Sequence, residues 1–283
     1  MSRLPRLLSP RARDEMPGRL DALAADLSRD PPNAADVVTV ETDVGPLLLH
    51  AGDEVMTPII AATKTWEPSE AAWLRSVLRE GQAVLDVGAN VGYFTLLASN
   101  AVGPSGSVVA VEPDAANLRL LRANVWRNGC DNVRIVAAAA GSERGLLALR
   151  RSATNAGDHQ VHPDARAGDV LVPALALDDV LDGVPVDVVK IDTQGFDHLV
   201  VAGLRRTLAA CPRAQLMIEF WPDSMRERGT DPAAVVRDYR ALGRPIGVLG
   251  DDGIANPAAD DEILAAADAS PLRFVNLVLG GAG

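Results

Sequence analysis

The chain has 283 residues, of which 48% are apolar and 23% charged, which is typical of a globular protein and excludes a wholly disordered one. Its 38 acidic and 27 basic residues give a net charge of −11, which disfavours a nucleic acid bound through a broad basic surface. The two cysteines form no disulfide framework and no apolar run is long enough to cross a membrane, so we expect a cytoplasmic protein without a membrane span.

The N-terminal part of the chain is predicted to be an extension, residues 1–66, ahead of a single larger domain, residues 67–283. Within the extension, residues 18–27 are predicted to form a short helix. β-prone residues on either side of a Gly-Pro turn predict a hairpin over 37–49. The larger domain is predicted to begin with a helix over 68–79, since proline suits the first turn of a helix.

From residue 83 onward, apolar strands alternate with amphipathic helices. Strands are predicted at 83–87, 107–111, 133–137, 145–150, 187–191, 214–220, 246–249 and 272–279, and helices at 92–101, 115–128, 197–210 and 232–242. This alternation predicts an α/β fold with a doubly wound parallel sheet. The last two strands are expected to pair antiparallel at the sheet's edge, because no full helix is predicted between them.

Two polar stretches interrupt this pattern. Residues 151–170 are rich in glycine, aspartate and histidine and are predicted to be a long loop, a kind of segment that often carries function. Residues 250–270 are acidic and rich in alanine, and we expect an insertion in the form of a solvated loop. A lid or a homodimer contact is the alternative for this second stretch.

A tight glycine turn after the first strand of the series is the strongest motif. The strand ends at Asp86, and the turn that follows contains Gly88 and Gly92, which have no Cβ and therefore let the chain pass close to a ligand. The carboxyl edge of such a sheet is where open α/β folds bind ligands. The turn lacks the third glycine of a dinucleotide motif and the lysine of a P-loop. Asp86 favours a cationic or hydroxyl-bearing ligand.

Two further carboxylates end later strands. Glu112 stands 26 residues after Asp86 at the end of the next strand, where an acidic residue accepts hydrogen bonds from ribose hydroxyls. Asp192 ends the strand at 187–191 and is expected to face the same crevice as Asp86. An N-cap role or an ion pair with Lys190 is the alternative for Asp192.

Together these motifs resemble the FkbM family of S-adenosylmethionine-dependent methyltransferases. The resemblance extends from about residue 37 to 278 and rests on Leu85-Asp86-Val87-Gly88-Ala89-Asn90-Val91-Gly92-Tyr93-Phe94-Thr95, Ala110-Val111-Glu112-Pro113, Ala176-Leu177-Asp178-Asp179, Lys190-Ile191-Asp192-Thr193-Gln194-Gly195 and Ile218-Glu219-Phe220. It implies a Rossmann-like sheet of seven strands in the order 3-2-1-4-5-7-6, with strand 7 antiparallel. It also implies S-adenosylmethionine as the methyl donor and usually a hydroxyl as the acceptor.

The resemblance further implies which residues bind the donor. Asp86 and the glycine turn surround its methionine part, Glu112 holds its ribose, and residues 138–141 line its adenine. The residues expected at the donor are Glu67, Asp86, Gly88, Ala89, Asn90, Gly92, Tyr93, Phe94, Glu112, Pro113, Ala138, Ala139 and Asp192. Gln194 stands where many relatives have glutamate, which weighs against a role that needs a charge there.

An alcohol acceptor must lose its proton during methyl transfer, so a general base is expected. His159, in the polar stretch 151–170, and Asp192 are the candidates for this catalytic role, and Asp192 alternatively orients the acceptor hydroxyl. No residue spacing demands a metal, so none is expected. A Mg²⁺ ion held by Asp158, Asp192 and Glu219 is the alternative.

We therefore predict a cytoplasmic O-methyltransferase that uses S-adenosylmethionine to methylate a hydroxyl of a small molecule, natural product or glycosyl group. N-methylation of an amine and a non-catalytic S-adenosylmethionine-binding module are the alternatives. A nicotinamide-dependent dehydrogenase is disfavoured, because the third glycine of its motif is missing.

Overall fold

The computed structural model describes residues 36–280 apart from residues 153 and 156, so the helix predicted over 18–27 lies outside the described residues. The predicted hairpin is confirmed, since β1 (Val37–Thr42) pairs antiparallel with β2 (Gly45–His50). Leu47 and Leu49 of β2 are completely buried, and the amide of Asn124 bonds the backbone N–H and C=O of Leu48 at 2.7 and 3.0 Å. These contacts fasten the hairpin to a helix of the larger domain.

The other strands form two sheets. They are β3 (Ala83–Val87), β4 (Ser107–Glu112), β5 (Val133–Ala137), β6 (Ala139–Gly141), β7 (Gly145–Arg150), β8 (Gln160–His162), β9 (Val170–Ala176), β10 (Val188–Ile191), β11 (Gln215–Phe220), β12 (Ile246–Leu249), β13 (Ala255–Pro257) and β14 (Val275–Leu279). The central sheet has the order β13-β12-β14-β11-β10-β3-β4-β5. From β11 to β5 its strands are parallel, and β14 is antiparallel to β11.

The central sheet therefore has eight strands in the described chain, one more than the seven predicted. The additional strand, β13, pairs antiparallel with β12 at the edge. A second sheet of four strands has the order β6-β9-β7-β8. It includes part of the stretch 151–170, because the three-residue strand β8 pairs with β7. The prediction of a loop over that whole stretch is therefore wrong. A strand of three residues among polar residues shows no alternation of apolar and polar positions, so the sequence did not indicate it.

Ten helices lie within the described residues: α1 (Met56–Thr63), α2 (Pro68–Val77), α3 (Tyr93–Val102), α4 (Ala115–Arg127), α5 (Leu177–Leu181), α6 (Asp197–Ala202), α7 (Arg205–Ala210), α8 (Pro222–Glu227), α9 (Pro232–Arg240) and α10 (Asp260–Ala269). None of these described helices has both the length and the apolar character that crossing a membrane requires. The helix predicted over 197–210 is divided into α6 and α7. The division lies at Gly203, where a Cβ would be 2.0 Å from the carbonyl oxygen of Gly141.

The prediction of a solvated loop over 250–270 is wrong. This stretch contains β13 and the ten-residue helix α10, so a full helix does lie between β12 and β14. Ile263 and Ala267, four residues apart on α10, are completely buried. That spacing places them on one face of the helix, and the face packs on the core of the domain. The acidic composition obscured this narrow apolar stripe.

Two hydrophobic layers cover the two faces of the central sheet. Leu85 of β3 points into one layer, and its neighbour Val84 points into the layer that contains the hairpin and α3. Because β3, β4, β10 and β11 are parallel, their carboxyl ends share one edge of the sheet. The motifs identified in the sequence follow these strand ends, and the fold therefore gathers them at that edge.

Candidate functional site

A cavity of about 350 Å³ lies at this edge, a volume typical of small-molecule sites. Twelve of the fourteen predicted site residues line it: Glu67, Gly88, Ala89, Asn90, Tyr93, Phe94, Glu112, Pro113, Ala138, Ala139, His159 and Asp192. The other two, Asp86 and Gly92, lie behind this lining. The tertiary structure thus brings together residues that are spread over more than 120 positions of the sequence.

The glycine turn is held by backbone contacts. The N–H groups of Gly88 and Ala89 donate to the carbonyl of Val111 at 2.9 and 3.0 Å. A Cβ on Gly88 would lie 1.8 Å from the carbonyl oxygen of Asp192, and one on Gly92 would lie 2.7 Å from Leu121 Cδ1. Both glycines also have a φ in the left-handed region. The absence of a Cβ is therefore required by neighbouring protein atoms, whereas the sequence suggested the approach of a ligand as the reason.

Glu112 is fixed at the opposite side of this turn. Its carboxylate accepts the backbone N–H of Asn90 at 2.9 Å and that of Asp114 at 2.8 Å. Burial leaves the side chain only 5% exposed and raises the pKa of Glu112 to about 7, although both hydrogen bonds favour the charged form. A carboxylate that lines the cavity and is already oriented in this way is suited to accept hydrogen bonds from ribose hydroxyls.

The lining on this side fits an adenosyl group. Small apolar residues that leave room for a flat base line the cavity together with Glu112: Val111, Pro113, Ala138, Ala139 and Ala140. These residues come from the ends of β4 and β5 and from the start of β6. This part of the cavity thus combines a carboxylate that accepts hydrogen bonds from hydroxyl groups with an apolar slot. That combination is the chemistry of a nucleoside site.

His159 lies on the same side as Glu112 and is partly buried. Its Nδ1 accepts the backbone N–H of Ser152 at 3.2 Å, which leaves the proton of the neutral ring on Nε2. Burial lowers the pKa of His159, so the ring is neutral near pH 7. In this arrangement Nδ1 is occupied and Nε2 carries the proton, so the neutral ring has no free lone pair with which to accept a proton. Of the two predicted bases, the geometry therefore favours Asp192.

Lys190 sits beneath Asp192 as a buried cation. Its Nζ lies 2.9 Å from Asp192 Oδ2 and 4.6 Å from the centroid of the Phe94 ring, and the residue is 3% exposed. Burial alone would lower the pKa of Lys190, but Asp192, Asp86 and Glu67 outweigh this effect and raise it. The ion pair that was the alternative for Asp192 is thus present, and Asp192 lines the cavity as well.

Asp86 differs from its expected place at the donor. It is the register partner of Lys190 on the neighbouring strand, is 1% exposed, and its Oδ2 accepts the hydroxyl proton of Thr95 at 2.6 Å. As an interior residue of β3, its side chain points into the layer covered by α3, away from the sheet's edge. Asp86 therefore lies beside Lys190 and is absent from the lining of the cavity.

The far end of the cavity, beyond Asp192, is acidic and aromatic. Gln194 Nε2 donates to Asp192 Oδ1 at 2.9 Å and, at 3.4 Å, to Glu219 Oε1. Buried Asp197 holds the intervening turn, because it accepts the N–H groups of residues 193 and 195. Trp221 and Phe274 complete the wall, with ring centroids 6.3 Å apart.

Several lining residues were not anticipated from the sequence as site residues, among them Trp66, Asn117, Leu272 and Phe274. Trp66 could have been predicted as a lining residue, since it directly precedes the predicted site residue Glu67. Leu272 and Phe274 had no such signal, because they lie 51 and 53 residues beyond Trp221 and meet it only when β14 inserts beside β11.

Other polar groups near the motifs have structural contacts. Asp114 caps α4, accepting the N–H groups of residues 116 and 117. Asp178 bonds the N–H groups of residues 206 and 207 and so caps α7, and His50 bonds Asn117 at 3.0 Å. Among the described residues, no group of three acidic, histidine or cysteine side chains is arranged to hold a metal ion.

The chain was compared with known proteins. The family model described as "Methyltransferase FkbM domain" matches residues 86–235. A search among curated proteins finds no match. Among solved structures, the FkbM methyltransferase from Methylobacillus flagellatus KT is 14% identical, with a TM-score of 0.45 over 96% of this chain and 62% of that chain.

Two other solved structures show the range of similar proteins. A precorrin-6y C5,15-methyltransferase from Geobacter metallireducens GS-15 is 14% identical, with a TM-score of 0.43 over 77% of this chain and 88% of that chain. Fibrillarin from Aeropyrum pernix, with natively bound S-adenosyl-L-methionine, is 12% identical, with a TM-score of 0.44 over 86% of this chain and 94% of that chain.

The family match covers more than half of the chain and includes the glycine turn, Glu112, Asp192 and Glu219. The chain therefore belongs to the FkbM family of methyltransferases, and its methyl donor is S-adenosylmethionine.

Proposed function

We propose that this methyltransferase methylates a hydroxyl of a small molecule, natural product or glycosyl group. The observation that carries the proposal is that one cavity joins the glycine turn and Glu112 at one end to Asp192 and Glu219 at the other. A donor at the first end leaves its methyl group facing carboxylates, which suit an acceptor that must lose a proton. The net charge of −11 supports a small acceptor over a nucleic acid.

In this proposal the donor is held by the residues that line the first end and the turn. Glu112 accepts its ribose hydroxyls, Pro113, Ala138 and Ala139 flank its adenine, and the turn residues Gly88, Ala89 and Asn90 approach its methionine part. Glu67, Tyr93 and Phe94 close the cavity on the methionine side. Asp86 and Gly92 contribute from behind the lining. Asp86 lies opposite Lys190 on the neighbouring strand, and the missing Cβ of Gly92 lets α4 approach the turn.

The bound donor supplies an electrophilic methyl group. Asp192 receives or orients the proton of the acceptor hydroxyl, since its Oδ1 reaches the cavity beside Gln194 while its Oδ2 is held by Lys190. This contact keeps the carboxylate in one orientation, which matters because a misplaced reacting group forfeits much of the benefit of positioning. N-methylation of an amine and a non-catalytic binding module are the alternatives.

We also propose that residues 67–283 form the methyltransferase domain and that residues 1–66 extend it. The contact of the hairpin with Asn124 supports a fixed attachment of the described part of this extension.

Calorimetric titration with S-adenosylmethionine, S-adenosylhomocysteine and NAD tests the donor assignment. Binding of the two sulfur compounds in the micromolar range, without binding of NAD, is the expected result. A screen of alcohol and glycoside acceptors, with mass spectrometry of the methylated product, then tests the acceptor. A methyl group found on nitrogen would support the amine alternative, and tight binding of NAD would overturn the proposal.

The affinity for S-adenosylhomocysteine is expected to rise with pH, by about tenfold between about pH 6 and 8. Glu112 has a pKa of about 7 in the free protein, and its carboxylate is the better acceptor for ribose hydroxyls, so binding releases a proton. Calorimetry at several pH values measures this dependence. Glu112→Gln should bind more weakly and flatten the profile, whereas Glu143→Gln, the same change at an exposed residue, should retain it. An unchanged profile in Glu112→Gln would refute the role of Glu112.

A further inference from the structure

Glu219 has an oxygen whose hydrogen-bonding capacity the described structure does not use. The side chain is 3% exposed and lines the cavity, and its Oε2 is buried without a hydrogen-bond partner among the described residues. Its other oxygen has a single contact, with Gln194 at 3.4 Å. A buried carboxylate oxygen that lacks a partner is costly unless a ligand supplies one.

Glu219 lies at the acceptor end of the cavity. It belongs to β11, whereas Glu112 belongs to β4, and three strand spacings separate these strands in the sheet. At about 4.8 Å per spacing, the two carboxylates stand about 14 Å apart across the sheet. A donor held by Glu112 and the glycine turn therefore leaves Glu219 to the acceptor.

The acceptor end has two carboxyl groups and one cation. Asp192 and Glu219 line it, and Lys190, which is paired with Asp192, is the one lysine or arginine among the described lining residues. Burial, followed by repulsion from Asp192, Asp197 and Glu67, raises the pKa of Glu219. A bound cation would offset this repulsion and lower the pKa again.

An apolar rim borders Glu219. Trp221 follows it two residues later, Phe274 packs against Trp221, and Leu272 is 66% exposed beside them. Aromatic faces attract cations as well as apolar carbon. The rim suits a carbon skeleton that carries a positive group.

We propose that the acceptor carries a protonated amine, which binds Glu219 while the hydroxyl to be methylated meets Asp192. This inference rests on the proposed function. A protonated amine has no lone pair with which to attack a methyl group, so at Glu219 it serves recognition, and the hydroxyl remains the nucleophile. The class of acceptor is thus an amino alcohol or an aminophenol, with the carbon skeleton against Trp221 and Phe274.

Tyramine and tyrosol form a probe pair that tests this assignment, because they differ only in an ammonium against a hydroxyl group. With S-adenosylhomocysteine bound, tyramine is expected to bind the wild-type protein at least about tenfold more tightly than tyrosol. Calorimetry in two buffers of different ionisation enthalpy should also show proton release on tyramine binding. Glu219→Gln should remove both the preference and the proton release, and Glu143→Gln should retain them.

Equal binding of the two probes, no saturable binding of tyramine, or an unchanged preference in Glu219→Gln would overturn the inference. The affinity for S-adenosylhomocysteine in the same proteins separates this failure from failure of the proposed function. If that affinity is normal, only the assignment of Glu219 is wrong. If that ligand does not bind the wild-type protein, the donor site is wrong. Because glutamine has the size of glutamate and carries no charge that burial would penalise, Glu219→Gln should melt no lower than wild type.

Discussion

Gly88→Ala should abolish binding of S-adenosylhomocysteine and lower the free energy of unfolding by about 2–6 kcal/mol. Gly88 has a φ of +81°, which strains an L-residue, and its Cβ would lie 1.8 Å from the carbonyl oxygen of Asp192. The backbone of residue 88 fixes the position of the new Cβ, and the oxygen that it meets is a backbone atom. No side-chain rotation therefore relieves the overlap. The turn or the end of β10 must move, and either movement separates the donor side of the cavity from Asp192.

Chemical denaturation and calorimetric titration measure the two effects of this substitution. Gly145→Ala is the matched control, because a Cβ at Gly145 meets no atom within 4 Å. Its stability and its affinity for the ligand should equal those of the wild type within about 0.5 kcal/mol. Equal behaviour of the two variants would show that the close approach of Gly88 to Asp192 does not define the site.

Lys190→Met should destabilise the protein by about 3–5 kcal/mol, because it leaves buried Asp86 and half-buried Asp192 without their cation. The ammonium group of Lys190 is 2.9 Å from Asp192. Lys190 is also the register partner of Asp86, whose Oδ1 is buried without a hydrogen-bond partner in the described structure. In the variant, Lys190 no longer lowers the pKa of Asp86, so this pKa rises further and Asp86 takes up a proton as the pH falls. The loss of stability should therefore be smaller at low pH than at neutral pH.

Urea denaturation at pH values on either side of neutrality tests this expectation. The chain has only one other lysine, Lys64, which is exposed and bonds a carbonyl of its own helix, so Lys64→Met is the natural control. That control should change stability by no more than about 0.5 kcal/mol. An equally small change in stability for Lys190→Met would show that another group compensates the charges of Asp86 and Asp192.

The strands and helices with a clear apolar period were predictable from the sequence. The strand at 83–87 and the helix capped by Asp114 appear where expected, because a continuous apolar run and an N-cap are local signals. The weaker elements were not predictable. β8 is short and polar, and the apolar stripe of α10 is hidden in an acidic segment, so both depend on neighbours that are remote in sequence.

The site shows the same division. The sequence by itself determined which residues follow the strand ends, and twelve of the fourteen residues it indicated line one cavity. Only the tertiary structure decided what each of them contacts. It placed Asp86 opposite Lys190, directed the lone pair of His159 Nδ1 toward Ser152, and left Glu219 Oε2 buried without a hydrogen-bond partner among the described residues. The physical reason is that a strand end is set by local backbone pattern, whereas burial, pairing and charge arise when strands far apart in the chain lie side by side.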